Sequence, residues 1–464
     1  MNGGDYVMRP AIMMCLDDIA HAVGGIVYGS RVGVSGVSTD SRAISTGDLF
    51  VALGGERFDG HRFVEEAMRR GAVAALTARR VEAELPIPQV VVQDTRLALG
   101  RLSAAWRARF ALPLVALTGS NGKTTVKEML AAILAAHAGD PEAILATEGN
   151  LNNDIGVPLT LLRLRGRHRY AVIEMGMNHA GEIDYLTHLA SPTVALVTNA
   201  QRAHIGILGS VEAIAHAKGE IYAGLGPDGI ALVNADESFA PYWTSLNAGR
   251  RMVTFGVSEA ADVRAQLVDS QAHFATPSGA FTVELQVAGE HNLRNAAAAC
   301  AAAHALGIPT HAMQAGLAGF AGVAGRLERR AGLGGALVID DTYNANPESM
   351  KAAIEVLARE SGRRVFVMGD MGELGSLSGP LHAEVGAFAR DRGIDALLAL
   401  GADSAHAAAA FGPAGRHFDS LEALLEAARA EAHAGTAILV KGSRFMRMER
   451  AADALAGKGR PHAA

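Results

Sequence analysis

The segment Thr118-Gly119-Ser120-Asn121-Gly122-Lys123-Thr124-Thr125 lies between a short apolar run, Leu114-Val115-Ala116-Leu117, and a stretch in which Val126, Met129, Leu130, Ile133 and Leu134 recur at helical spacing. A strand that turns through glycines into a helix presents backbone N–H groups and the positive end of a helix dipole, an arrangement suited to an anion. Lys123 is placed to reach the outer phosphates of a nucleotide, and Thr124 to offer its hydroxyl to Mg2+. Gly119, Ser120, Asn121, Gly122 and Thr125 complete the cradle. Only two residues separate Gly119 from Gly122, fewer than in the common phosphate loop, so a tighter turn with Asn121 inside it is expected. A glycine-rich turn that binds nothing would not require the lysine and paired threonines that follow.

The chain has 464 residues, too many for one compact core, and suits about three domains. Hydrophobic residues make up 49% and charged residues 19%, a globular balance rather than a disordered one. With a net charge of −6 and scattered Lys and Arg, nucleic acid is not the expected partner. Cys15 and Cys300 stand in unrelated contexts, so neither a disulfide framework nor a cysteine metal site is readable, which fits a reducing cytoplasm. The apolar runs Ala11 to Leu16 and Ala296 to Leu306 are too short for an export signal or a membrane span, so no stable membrane insertion is expected.

Short strands and turns, such as Leu49 to Leu53, fill the first hundred or so residues and end in a helix near Leu97 to Arg109. Leu112-Pro113 breaks that helix, which sets a first domain of mixed α/β character at 1–112. From there Tyr170 to Ile173, Thr193 to Val197 and Ile230 to Val233 alternate with helices, implying a parallel sheet covered on both faces over 113–326. Phe281 to Val287 alternates strictly and predicts a strand with one wet face; a helix opens near Asn292. A glycine-rich break at Gly322 to Gly335 precedes buried strands at Ala336 to Ile339, Arg364 to Met368, Ala396 to Leu400 and Ala437 to Val440. These predict a smaller Rossmann-like domain at 327–464.

Ligands of open parallel sheets gather beyond the carboxyl ends of the strands. Glu174 follows one such strand, where it either shares the Mg2+ of the phosphate loop or caps the next helix. His204 lies in a loop past another strand end, as a ligand or as an ordinary hydrogen-bonded histidine. Lys218 falls on the apolar stripe of its helix with Ile214, Ala217, Ile221 and Leu225. Snorkelling to solvent is the favoured reading; carbamoylation by CO2, which would make it an anion, is the other. Asn150, Asn152, Asn153 and Asp154 form a polar cluster that suits either a turn or a substrate rich in sugar and amide groups.

Together these stretches resemble the Mur ligase family over essentially the whole chain. The phosphate loop is of that family's short type. Ser38-Thr39-Asp40-Ser41-Arg42, Gly47 to Leu53 and Phe58-Asp59-Gly60-His61 resemble its uridine-nucleotide-binding domain, and Thr147 to Pro158 its muramoyl-substrate loop. Asp341-Thr342-Tyr343-Asn344-Ala345-Asn346-Pro347 resembles the member that adds D-alanyl-D-alanine; no Asp-Asn-Pro-Arg motif for a diaminopimelate side chain is present.

The resemblance implies a cytoplasmic, monomeric ATP-dependent amide ligase of peptidoglycan precursor synthesis. It would join UDP-N-acetylmuramoyl-tripeptide to D-alanyl-D-alanine through an acyl phosphate. It further implies catalytic roles for Lys123, Glu174, His204 and Lys218, with Thr124, Glu174, His204 and an N6-carboxylysine at Lys218 holding a pair of Mg2+ ions. Asn292, Asn295, Arg326 and Asp340 or Asp341 are expected near ATP. Ser38, Ser41, Arg42, Thr147, Asn150, Asn153, Tyr343, Asn344, Asn346, Lys441, Ser443 and Arg444 are expected near the other substrates. A related Mur or folylpolyglutamate-type ligase with another amino donor, and a phosphate-loop ATPase without ligation, are the alternatives.

Overall fold

The computed structural model describes residues 11–55, 58–82 and 87–457. Three α/β units follow one another along the chain. In the first, a five-stranded sheet runs in the order Ile26–Tyr28, Gln89–Val91, Ala74–Thr77, Asp48–Val51 and Gly36–Ser38, and the helix Thr95–Arg107 leads out of it. Asp94 caps that helix, accepting from the N–H groups of Arg96 and Leu97.

The second unit is a nine-stranded sheet. Its order is Ile144–Ala146, Tyr170–Glu174, Leu114–Thr118, Val194–Val197, Ile230–Asn234, Arg251–Gly256, Val263–Val268, Gln271–Thr276 and Gly279–Val283. The strand Leu114–Thr118 lies between strands that follow it in sequence on either side, so the sheet reverses its winding there. That reversal opens a crevice at the strand's carboxyl end.

The phosphate loop leaves into this crevice and the helix Lys123–Ala138 follows. Val126, Met129, Leu130, Ile133 and Leu134 of the helix are fully buried. At ~1.5–3 kcal/mol of burial apiece, against ~1 kcal/mol for a cap, packing rather than capping fixes the helix. Its N-cap residue, Gly122, supplies no side-chain cap, and the leading N–H groups are left for a ligand.

Two features of this sheet differ from the sequence reading. The sheet is not parallel throughout, because Val263–Val268, Gln271–Thr276 and Gly279–Val283 pair antiparallel at its edge. The strand expected over Phe281 to Val287 is Gly279–Val283; beyond it Glu284 and Gln286 remain exposed while Leu285 and Val287 are half-buried. Alternating burial therefore outlasts the hydrogen-bonded ladder there.

The third unit is a six-stranded sheet ordered Glu328–Ala331, Leu337–Asp341, Thr436–Lys441, Arg363–Gly369, Ala396–Leu400 and Gly415–Phe418. Its first strand lies inside the glycine-rich stretch read as a break and pairs antiparallel; Gly415–Phe418 at the far edge was also not anticipated. Both are edge strands with half their residues wet, so their apolar signal is weak.

Candidate active site

The three units meet around a cavity of about 1660 Å³. The phosphate loop supplies Ser120, Asn121, Gly122, Lys123 and Thr125 to its wall. Gly119 and Gly122 have φ of +155° and +81°. A Cβ on Gly119 would stand 1.8 Å from Thr198 Oγ1, and one on Gly122 2.3 Å from Asn295 Oδ1, so neither site accepts a side chain. Lys123 Nζ folds back to donate to the Gly119 carbonyl at 2.7 Å, and burial in the cleft lowers its pKa.

Behind the loop, Thr124 Oγ1 donates to Glu174 Oε2 at 2.8 Å, and Asn152 Nδ2 donates to Glu174 Oε1 at 2.8 Å. Glu174 is thus a buried carboxylate held by neutral donors, with Lys123 as its neighbouring cation. A carboxylate and a hydroxyl are the hard oxygen donors that suit Mg2+. Among the described residues no three His, Cys, Asp or Glu side chains cluster to hold a metal, so phosphate oxygens and water would have to complete such a shell. Thr147 does not reach the cavity; its Oγ1 accepts from the Glu174 N–H at 2.9 Å and so fixes the strand end.

Lys218 is 1% exposed and lines the cavity. The snorkelling expected from its sequence position does not occur. The helix Val211–Gly219 buries Lys218 together with Ile214 and Ala217. Burial, and then the charge of Lys123, push its amine well below the usual lysine range. His204, whose backbone is left-handed at φ +64°, approaches Glu373 of the third unit, Nδ1 to Oε2 being 2.5 Å. This contact is not aligned as a hydrogen bond, and it holds the Glu373 carboxyl below its usual range.

Asn292 and Asn295 line the wall from the start of the helix Glu290–Ala305, with Asn295 Nδ2 donating to Asn292 Oδ1 at 3.1 Å. Arg326 Nη2 donates to Thr124 Oγ1 at 2.8 Å, and its guanidinium lies 4.1 Å from the centre of the Tyr343 ring. Among the described residues its buried Nε has no partner, a donor matched to an anion. Strand alternation separates the two aspartates. Asp341 lines the cavity and pairs with Lys441 at 2.5 Å, whereas Asp340 lies outside it and pairs with Arg330 at 3.0 Å. Asn150, Asn153, Tyr343, Asn344, Asn346, Ser443 and Arg444 also line it.

Ser38, Ser41 and Arg42 do not. Ser38 Oγ donates to the Asp40 carbonyl and Arg42 pairs with Asp40, all within the first unit and apart from the cavity wall. Sequence reasoning missed Lys127, which is 2% exposed and donates from Nζ to the Thr147 carbonyl. Its position three before Leu130 and seven before Leu134 on the buried face was the available signal. Arg202 and Glu373 were also missed; both act across units, which leaves no local pattern.

Three family models match the chain: "Mur ligase family, catalytic domain" over residues 33–107, "Mur ligase middle domain" over 117–303 and "Mur ligase, glutamate ligase domain" over 325–444. The UDP-N-acetylmuramoyl-tripeptide–D-alanyl-D-alanine ligase of Escherichia coli is 43% identical over 97% of this chain and 99% of its own. A crystal structure of MurF from Acinetobacter baumannii superposes with a TM-score of 0.88 at 40% identity, covering 95% of this chain and 98% of that one. MurF ligase from Thermotoga maritima, solved in complex with ADP, gives 0.78 at 28% identity over 91% and 97% of the two chains.

Proposed function

Because the chain belongs to the Mur ligase family, we propose that its cavity joins the terminal carboxylate of UDP-N-acetylmuramoyl-tripeptide to the amine of D-alanyl-D-alanine, cleaving ATP to ADP and phosphate. The observation that carries this is the uncapped phosphate-loop helix facing residues of the third unit in one cavity, which suits a reaction that brings a nucleotide to two other substrates. The reading assigns uridine-nucleotide binding to 1–112, ATP binding to 113–326 and dipeptide binding to 327–464, in a cytoplasmic, monomeric enzyme.

In the first step a carboxylate oxygen attacks the γ-phosphorus in line, ADP leaves, and the product is an acyl phosphate. Lys123, once turned from the Gly119 carbonyl toward the phosphates, offsets the repulsion between two anions, and the loop N–H groups hold the β-phosphate. Arg326, with its free Nε, stabilises the transferred group. In the second step the dipeptide amine adds to the acyl carbon, loses a proton, and phosphate departs as the amide forms. Asn292 and Asn295 orient adenine, Asp341 the nucleotide, and Asn150 and Asn153 the muramoyl peptide. Tyr343, Asn344, Asn346, Lys441, Ser443 and Arg444 face the dipeptide.

Thr124 and Glu174 would hold one Mg2+, and His204 with a carbamate at Lys218 a second, supplying positive charge to the phosphates and the carboxylate. Lys218 suits carbamate formation because a desolvated amine stays neutral and nucleophilic toward CO2. Offering purified chain ATP and the muramoyl tripeptide with a panel of amines tests the reading: D-alanyl-D-alanine should drive ADP release with a new amide in the product mass. Equal turnover with single amino acids, or ADP release without amide, would overturn it.

A further inference from the structure

Arg202, in the loop that carries His204, reaches out of the second unit into the third. Its Nη1 and Nη2 donate to the two oxygens of Glu384 at 2.8 Å each, and its Nε donates to Glu348 at 2.5 Å. Glu348 stands on the helix Pro347–Ala358 and Glu384 on the helix Ser378–Asp391, so one guanidinium ties together two helices of the third unit. Lys351 adds a second cation at 2.5 Å from Glu384, which leaves the cluster neutral. A planar fork grips both carboxylates as no single ammonium can.

Around this clamp the units touch at the cavity itself. Asn346 Nδ2 donates to Asn121 Oδ1 at 2.8 Å, and the Gly206 N–H donates to the Glu373 carbonyl at 2.9 Å. The approach is backbone on backbone, since a Cβ on Gly206 would lie 2.5 Å from Gly375 N and 2.7 Å from Glu373 O. His204 and Glu373, which meet there, both have left-handed backbones, at φ +64° and +62°. Strain of that kind persists only where surrounding contacts enforce it.

We propose that Arg202 is a positioning residue for ligation: through Glu348 and Glu384 it latches the third domain over the phosphate loop, keeping the acyl phosphate from water until the amine arrives. The latch goes beyond the ligase reading, on which only its coupling readout rests. Without the clamp the third domain still binds its helices' own partners but spends more time away from the loop. Water then takes acyl phosphate that the amine would have taken.

The test uses the full chain with Mg-ATP and muramoyl tripeptide, with and without D-alanyl-D-alanine. Wild type should release one phosphate per amide formed. Arg202→Ala should show a larger radius of gyration by small-angle scattering and a phosphate-to-amide ratio raised about tenfold, equivalent to ~1.4 kcal/mol of lost closed-state bias. Arg202→Lys should fall between. Glu384→Gln, which keeps the shape of the side chain, and Gly206→Ala, which changes no charge, should move both readouts in the same direction. A wild-type radius and an unchanged ratio in Arg202→Ala and Gly206→Ala would overturn the latch, as would slower turnover with the ratio intact. If wild type forms no amide, the ligase reading fails and the radius alone still decides the latch.

Discussion

At the residue scale, the site depends on side chains whose freedom has been removed. Gly122 combines φ +81° with Asn295 Oδ1 standing where a Cβ would go. Gly122→Ala should therefore cost ~1–3 kcal/mol of stability and weaken nucleotide binding, read by thermal unfolding and ATP titration. Lys127 anchors the Thr147 carbonyl, and Thr147 Oγ1 anchors the Glu174 N–H. Lys127→Met leaves that carbonyl buried and unpaired, at ~1–3 kcal/mol. It should raise KM for the muramoyl substrate more than for ATP in steady-state assays. His291 provides a pH prediction: burial, with the charge of Lys441 next, pushes its pKa down to about 4 from the ordinary 6.5. The unfolded chain then binds the extra proton, so this contribution to stability is whole above about pH 6.5 and is lost as pH falls toward about 4. Thermal midpoints measured across that window should drop more in wild type than in His291→Gln.

At the scale of elements, close packing carries information that hydrophobic pattern alone does not. The helix Thr310–Ala318 approaches the phosphate-loop helix so closely that a Cβ on Gly316 would lie 2.4 Å from Ile133 Cα. Gly316→Ala gains ~1 kcal/mol of helix propensity, yet it meets backbone that cannot yield, and overpacking of ~1–3 kcal/mol outweighs the gain. Calorimetry should show a lower midpoint, with KM values for all substrates unchanged. Elements with a continuous or helical apolar signal were legible: Leu114–Thr118, Lys123–Ala138, Tyr170–Glu174 and Thr436–Lys441 all lie where the sequence places them. Edge strands such as Glu328–Ala331 and Gly415–Phe418 were not, because hydrogen bonds to one neighbour define them and their side chains are half wet. Lys218 was legible as anomalous but not as buried, since whether a lysine on an apolar stripe snorkels depends on what covers it.

At the scale of the whole molecule, the phosphate loop could be read from its own residues, whereas the contacts of Arg202 and Glu373 could not, because they arise between units far apart in sequence. The same contacts make closure measurable: scattering profiles with and without ATP plus muramoyl tripeptide should differ, the liganded chain being the more compact. Each step of the proposed ligation depends on one event, the capture of the γ-phosphoryl group by a peptide carboxylate beside Lys123. Ligation run with muramoyl tripeptide labelled with oxygen-18 in its terminal carboxylate tests that event most directly. Mass analysis should find one labelled oxygen transferred to the released phosphate and the other retained in the amide; phosphate released without label, alongside amide product, would contradict the account.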